Sequence, residues 1–326
     1  MRRHAEALRL VWFCAVVLIG ATFLARPFTA KKERFDTARF KQIQARQPDF
    51  VLIGDSLLGY SIEPAVLENA IAGRKVELLW HGGAASAAWY LYLKNFVVGA
   101  GVHPRRVFIF IHDAVLTDPQ FRTTGKYAQQ LQQLCRSDEP VFRELTKAGD
   151  QRLWWFPRLV ALVFPADSNR AHYQQRVDGW MRRLVARDRN AARRLETEAN
   201  QTFDVANVRA DEPVITTEGE KPFDSVVAQS FLPPILALAR DNKFPITFVR
   251  PKKRPGPDAE FDAKPAMQAY YSALQRYLAS SGCDIVDLTN DPAITEEMFA
   301  DSVHIGPRSR RTFTTHFAAV LTDHFQ

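Results

Sequence analysis

Short apolar runs alternate with longer amphipathic stretches through most of this 326-residue chain. Residues 50–53 and 106–111 are too uniformly apolar to face water on one side, which is typical of parallel strands covered on both faces. Strands that alternate with helices predict a doubly wound α/β sheet. We predict five strands, over residues 50–53, 76–80, 106–111, 245–250 and 284–288.

The predicted helices lie between these strands, over residues 64–71, 86–98, 225–242, 266–280 and 308–325. Ser61 is the expected cap of the first, because Pro64 falls in its first turn. Roughly 130 residues separate the third and fourth strands, far more than one crossover needs. We therefore predict a long helical insertion at about 120–222.

The predicted insertion carries an arginine-rich stretch with two open interpretations. It is either a solvated helix face, or a cap over an active site or basic surface for an anionic polymer or lipid. The arginines are Arg176, Arg182, Arg183, Arg187, Arg189, Arg193 and Arg194.

The N-terminal segment differs from the rest of the chain. Residues 10–25 carry no charge and follow Arg2, Arg3 and Arg9. A run of roughly 16 residues is short for a spanning helix and also fits a secretory signal, and a buried core helix is the third alternative. Because no clean Ala-x-Ala site follows Ala25, we favour a retained signal anchor over residues 1–30. Both flanks are basic, so charge leaves the orientation open.

An amphipathic pattern over residues 35–47 predicts a stalk helix within 31–48, which leaves 49–326 as the main domain. The formal charge of +7 and the pI near 9.4 suit an acidic partner or a membrane surface without choosing between them. Cys135 and Cys283 either pair in an oxidising compartment or, as we favour, are ordinary small buried residues. We find no Cys/His metal spacing and no complete dinucleotide-binding turn, so we expect neither a metal nor a cofactor.

The triplet Gly54-Asp55-Ser56 ends the first predicted strand, and it places a serine at the sheet edge where ligands bind. The single Asp-x-x-His of the chain, from Asp301 to His304, offers a base and an acid to orient it. We predict that Ser56 is a nucleophile, His304 its base and Asp301 the orienting acid. An acyl group would pass to Ser56 and then to water or a sugar hydroxyl.

An oxyanion formed at this site needs hydrogen-bond donors. The backbone N–H of Ser56 is one candidate, and Gly82-Gly83, directly after the second strand, offers another. The two glycines are alternatively a plain strand-to-helix turn.

Three side chains are candidate substrate contacts, each with a structural alternative. Trp89 lines a sugar site or belongs to the core. His112 donates a hydrogen bond or has a structural role. Arg250, at the end of the fourth strand, is placed to bind a carboxylate or phosphate.

Taken together, these motifs resemble the SGNH (GDSL-type) hydrolase superfamily. Gly54-Asp55-Ser56 matches its first block, Gly82 or Gly83 its second, and Asp301 with His304 its last. The third block, Gly-x-Asn-Asp, reads Ile111-His112-Asp113-Ala114 here, so the usual asparagine donor is missing. Asp113 would repel an oxyanion, and we expect it to cap the following turn instead. The resemblance implies a flavodoxin-like sandwich with Ser56, Asp301 and His304 as its catalytic residues.

The stretch from Gly82 to Leu91, with the predicted anchor, is similar to membrane-tethered bacterial SGNH proteins that handle acyl groups on cell-surface polysaccharides. That resemblance implies a single-pass inner-membrane protein whose domain faces the periplasm. It also implies an acylated polysaccharide or other ester substrate, a membrane-bound O-acyltransferase as partner, and no nucleic acid. We expect a serine-dependent acyl esterase or O-acetyltransferase. The alternatives are a non-catalytic glycan-binding or scaffold protein on a degenerate SGNH fold, and an esterase of lipids or short esters.

Overall fold

The computed structural model describes residues 35–124, 126–136, 139–146 and 221–325. The predicted signal anchor over residues 1–30, the arginine-rich stretch and most of the predicted insertion over 120–222 lie outside these ranges. No helix in the described ranges has the length and apolar character needed to span a membrane.

A five-stranded, wholly parallel sheet forms the centre of the fold, in the order β2-β1-β3-β4-β5. This strand order is that of flavodoxin-like doubly wound sheets. The predicted fold class is therefore confirmed, and every strand boundary lies within one residue of its prediction. The strands are β1 (Phe50–Gly54), β2 (Val76–Trp80), β3 (Arg106–Phe110), β4 (Ile246–Arg250) and β5 (Asp284–Asp287).

Helices connect and cover these strands. The α-helices of the described ranges are α1 (Thr37–Arg46), α2 (Ser56–Ser61), α3 (Pro64–Ala70), α4 (Ser86–Leu91), α5 (Lys126–Leu134), α6 (Pro140–Thr146), α7 (Phe223–Val226), α8 (Leu232–Asp241), α9 (Pro257–Ala263), α10 (Pro265–Ser280) and α11 (Arg310–Phe325). A π-helical segment, Tyr92–Val98, continues α4.

The sheet is buried on both faces, as its uniformly apolar strands require. Successive strand residues point to opposite faces. Val51 and Ile53 therefore join one apolar cluster with α1, α4, α8 and α10, whereas Leu52 joins another with α2, α3 and α11. This three-layer arrangement leaves the carboxyl ends of the strands as the edge where loops converge.

Helix α1 lies inside the predicted stalk over residues 31–48, but it packs against the domain. Ile43 is fully buried, and Phe35 and Phe40 contact the same apolar cluster. The Asp36 backbone N–H donates to the Gln133 carbonyl at 2.9 Å. The folded domain therefore begins before the predicted residue 49, because the apolar face of this helix is covered by the core.

Other local predictions have clear outcomes. Ser61 does not cap α3, because Glu63 occupies the N-cap position and α2 ends at Ser61. The helix predicted over residues 86–98 is α-helical only as far as Leu91 and continues in the wider π-helical register. Cys135 and Cys283 are free thiols, but both are only partly buried, so the expectation of buried residues is not met.

Candidate active site

Ser56 lies where β1 passes directly into α2. Gly54 is packed so closely that an added Cβ would lie 2.8 Å from the Leu58 Cβ. The Asp55 carboxylate accepts the Leu57 backbone N–H at 2.9 Å and so caps α2. Ser56 is the first helical residue, where a backbone N–H has no acceptor within the helix. The turn therefore presents a hydroxyl and a free backbone donor at the carboxyl edge of the sheet.

The predicted acid and base, Asp301 and His304, lie in one short loop. A backbone bridge and hydrogen bonds to backbone N–H groups hold this loop in shape. Phe299 and Ile305 form an antiparallel bridge across it. Asp301 Oδ1 accepts the N–H groups of Val303 at 2.9 Å and His304 at 2.7 Å, and Asp301 Oδ2 lies 2.8 Å from His304 Nδ1. Burial raises the pKa of Asp301, but these hydrogen bonds outweigh it and lower that pKa overall. The carboxylate therefore stays ionised beside the imidazole.

The structure brings this loop to the serine, and His304 Nε2 lies 2.8 Å from Ser56 Oγ. This separation is within the reach of a general base. Because the Nδ1–H of His304 donates a hydrogen bond to Asp301, Nε2 is left to accept one from the Ser56 hydroxyl. The predicted proximity of the three residues is confirmed, and the arrangement is able to activate a serine nucleophile.

An exposed tyrosine that the sequence reading missed stands beside the imidazole. The Tyr60 ring is edge-on to the His304 ring, with centroids 5.3 Å apart, and it also contacts the Trp80 ring at 5.8 Å. Tyr60 is 51% exposed. It follows Ser56 by four residues on α2 and shares its helix face, and this spacing was a signal available in the sequence.

The two glycines after β2 have different surroundings. Gly83 has a φ of +76°, and an added Cβ would lie 2.6 Å from Tyr127 and 3.1 Å from Arg122 Nη1. Gly82 has no heavy atom within 4 Å of such a Cβ. Neither glycine N–H donates to a backbone carbonyl in the described part of the chain. Both are therefore free to donate to a substrate, and their role in an oxyanion hole stays a prediction.

His112 is buried between two carboxylates. Its Nε2 lies 3.0 Å from Asp55 Oδ2 and its Nδ1 lies 2.7 Å from Asp113 Oδ2. Burial lowers the pKa of His112, but the Asp55 charge and the hydrogen bonds to both carboxylates raise it overall to about 10. Both ring nitrogens are thus protonated and occupied. The prediction of His112 as a substrate contact is wrong, because the ring has no nitrogen left to donate.

Asp113 does not cap the following turn as predicted. The next helical turn has Ala114 at its N-cap and no side-chain cap. Asp113 has a left-handed backbone with φ 47°, and its Oδ1 accepts the Lys253 ammonium at 2.6 Å. Its carboxylate therefore bridges two buried cations, and its pKa is lowered because the histidine and lysine outweigh the effect of burial.

The ion pairs continue across the sheet beyond Lys253. Its ammonium also donates to Asp262 at 3.0 Å, and Arg250 lies 3.5 Å from Asp262 and 3.2 Å from Asp287. We call this set the carboxyl-edge network, since it follows the ends of β1, β3, β4 and β5. Its members are Asp55, His112, Asp113, Lys253, Asp262, Arg250 and Asp287.

Arg250 and Trp89 do not have the substrate-binding roles predicted for them. The Arg250 side chain is buried, is paired with two carboxylates, and stacks 3.4 Å from the Tyr271 ring centroid. Trp89 is fully buried within the core that α4 forms. Arg250 lies at the predicted edge of the sheet, but internal ion pairs engage it, whereas for Trp89 the core alternative is confirmed. Within the described ranges, no cluster of side chains could hold a metal ion.

Comparison with known proteins gives the following likenesses. No protein-family model and no curated protein sequence matches the chain. A GDSL-like lipase from Bacteroides thetaiotaomicron is similar in structure, with a TM-score of 0.41 and 10% identity over 89% of this chain and 96% of that one. A member of the lipolytic protein G-D-S-L family from Veillonella parvula has a TM-score of 0.38 and 12% identity over 85% and 98%. A lipase/acylhydrolase from Enterococcus faecalis has a TM-score of 0.36 and 11% identity over 85% and 96%.

Proposed function

We propose that this protein is a serine-dependent acyl esterase or O-acetyltransferase that acts on an acylated cell-surface glycan through an acyl-serine intermediate. The observation that carries the proposal is the continuous contact from Ser56 Oγ to His304 Nε2 and from His304 Nδ1 to Asp301, each at 2.8 Å. A serine at a free sheet edge, a base within reach and an ionised acid behind it are what nucleophilic acyl transfer requires.

The reaction follows from this order of groups. His304 Nε2 takes the hydroxyl proton as Ser56 Oγ bonds to the ester carbonyl carbon, and the carbonyl π pair moves onto oxygen. When the carbonyl re-forms, the bond to the alcohol breaks and the alcohol oxygen takes the proton from His304. Water or a sugar hydroxyl then gives a proton to His304 and attacks the acyl carbon. Ser56 leaves and recovers a proton, which regenerates the site.

Tyr60 supports a sugar as the alcohol part of the substrate. Because His304 exchanges its proton with the leaving or accepting alcohol, that alcohol must lie beside the imidazole. The half-exposed Tyr60 ring stands at this place and offers an apolar face with a hydroxyl at its tip. Such a surface suits the mixed apolar and polar faces of a pyranose better than a long acyl chain.

The proposed cellular location rests on the sequence of the N-terminal segment. The uncharged residues 10–25 support a retained single-pass anchor in the inner membrane, with the domain in the periplasm. There an O-acyltransferase in the membrane would supply the acyl group. Alkaline phosphatase fused after the C-terminal residue should be active in a bacterial host, whereas an active cytoplasmic reporter at that position would contradict this orientation.

The catalytic proposal is tested with the purified full-length chain. We expect hydrolysis of 4-nitrophenyl acetate and a covalent fluorophosphonate adduct on Ser56 by mass spectrometry. Ser56→Ala should abolish both, whereas Ser302→Ala, a serine in the loop of Asp301 and His304, should retain both. A wild-type chain with neither activity nor adduct would contradict the proposal. Glycan binding that is unchanged in Ser56→Ala, without ester cleavage, would favour the scaffold alternative.

Hydrolase and transferase are separated by the fate of the acyl group. With an acetylated donor and a free oligosaccharide acceptor, a transferase should form acetylated oligosaccharide faster than acetate. Release of acetate alone at saturating acceptor would exclude the transferase activity.

A further inference from the structure

We propose that Arg122 supplies the third donor to the oxyanion, in the role that the missing asparagine would otherwise fill. This assignment rests on the proposed function, since it concerns the anion formed when Ser56 attacks an ester. It identifies a cationic oxyanion hole built from two backbone N–H groups and one guanidinium.

The position of Arg122 places its charge beside Gly83, one of the two glycines predicted to donate to the oxyanion. Arg122 lies in the loop that follows β3, and its Nη1 is 3.1 Å from the Cβ position of Gly83. Arg122 also acts electrostatically on Asp55, the residue before the nucleophile. Burial raises the pKa of Asp55, whereas His112, the Leu57 N–H and the Arg122 charge lower it, and the net effect is a lowered pKa.

Arg122 is a partly buried cation that makes no ion pair within the described ranges and faces the charge of Asp55 at longer range. Its Nε is buried without a hydrogen-bond partner, as is the Nε of Arg250. Lys253 and Arg250, by contrast, each lie between two carboxylates. Partial burial of a cation without an ion-pair partner costs free energy. The cost is explained when the partner is an anion that forms during the reaction.

The guanidinium is also held in place before any substrate arrives. Its carbon lies 4.8 Å from the Phe121 ring centroid and 5.5 Å from that of Tyr127. The backbone of Arg122 is left-handed, with φ 55°, a strained conformation for a residue with a side chain. Asp118 Oδ1 accepts the Phe121 N–H at 3.1 Å and fixes the preceding turn. Donors fixed in advance are those that stabilise developing charge most effectively.

The loop after β3 also shows why the residues at the asparagine position cannot serve as the oxyanion donor. His112 and Asp113 stand at that position, and both are committed to the carboxyl-edge network. A further residue of the loop must therefore provide the donor. Arg122 brings a full positive charge as well as N–H groups, so it matches an oxyanion more strongly than a neutral amide.

The test compares Arg122→Gln and Arg122→Lys with Arg136→Gln in the full-length chain. Arg136 is a matched control, because its guanidinium also stacks on two aromatic rings, those of Phe35 and Phe40. With 4-nitrophenyl acetate, which carries no anionic substituent, Arg122→Gln should lower kcat on the order of 10²-fold, the usual loss for one oxyanion donor, with KM nearly unchanged. Arg122→Lys should lose less, and Arg136→Gln should keep both constants.

Phosphonylation of Ser56 gives a second readout, because it places a tetrahedral oxygen in the same hole. The fluorophosphonate labelling rate should fall in Arg122→Gln and should recover when guanidinium chloride is added at millimolar concentration. An active wild type with unchanged kcat in Arg122→Gln would overturn the assignment. So would a change confined to KM for 4-nitrophenyl hemisuccinate, since that would make Arg122 a contact for a substrate carboxylate. A wild type without activity or labelling overturns the proposed function and this assignment with it.

Discussion

Raising the pH from 7 to 9 should weaken the folded domain, because the proton on His112 is held between two buried carboxylates. Folding raises the pKa of His112 from 6.5 to about 10. A raised pKa contributes stability that is complete below pH 6.5 and is lost as the pH rises towards 10. Within this window the folded chain keeps a proton that the unfolded chain has released.

The size of the stability loss follows from the difference between the folded and unfolded pKa values of His112. One pH unit corresponds to about 1.4 kcal/mol, so the full rise of the His112 pKa corresponds to on the order of 5 kcal/mol. Between pH 7 and pH 9 the free energy of unfolding should fall by roughly 3 kcal/mol. The other groups whose pKa folding shifts add little before pH 9. His81, whose pKa burial lowers to about 4, is neutral in both states, and thiols and tyrosines titrate at pH 9.0 or above when unfolded.

Urea unfolding followed by tryptophan fluorescence at pH 7, 8 and 9 measures this slope. His112→Gln should be less stable at pH 7 and should lose the slope, because its amide does not titrate. His316→Gln is a matched control that removes a histidine paired with Asp291 on the surface side of α11. A flat profile in the wild type, or an equal slope in His112→Gln, would refute the protonated histidine between two carboxylates.

Three further predictions concern packing and buried charge. Lys253→Met should lower the free energy of unfolding by about 3–5 kcal/mol in urea titrations, because it leaves two buried carboxylates without their cation; unchanged stability would contradict this. Gly59→Ala should lower the free energy of unfolding by roughly 1–3 kcal/mol by the same measurement, since its Cβ would lie 2.3 Å from the Trp80 ring. Gly82→Ala is the control, because its Cβ would have no heavy atom within 4 Å, and it should be nearly neutral. Equal effects of the two substitutions would contradict the packing argument. Arg250→Lys should lower the melting temperature by several degrees, because ammonium cannot both stack on an aromatic ring and pair with two carboxylates; an unchanged midpoint would refute this.

The sheet could be predicted because burial on both faces leaves a direct mark in the sequence. Continuous apolar runs such as residues 50–53 have no other common explanation between two turns. The proximity of Ser56 and His304 followed from topology, since the carboxyl ends of parallel strands meet at one edge. The sequence was therefore enough to predict the fold and the proximity of Ser56, Asp301 and His304.

The carboxyl-edge network was not accessible in the same way. A lysine or arginine is normally assigned to the surface, and its burial depends on carboxylates that come from other strands. Lys253 and Asp113 are 140 residues apart in the sequence, and the residues around each give no indication that the two form an ion pair. For the same reason, the sequence gives no indication that Arg250 is paired with Asp262 and Asp287. The sequence does not indicate the role of Arg122, because it lies in a loop without a periodic pattern and its contacts come from Phe121, Gly83 and the first turn of α5.

The loop that contains Asp301 and His304 has a consequence for the order in which the candidate site assembles during folding. The acid and base are joined by contacts three residues apart, which close rapidly and at little entropic cost. Ser56 and His304 are separated by 248 positions, and their contact requires the assembled sheet. A partly folded chain can therefore hold the Asp301–His304 pair before Ser56 reaches it. In refolding experiments, fluorophosphonate labelling of Ser56 should recover later than the helical circular-dichroism signal. The labelling rate would then report when the native sheet is complete.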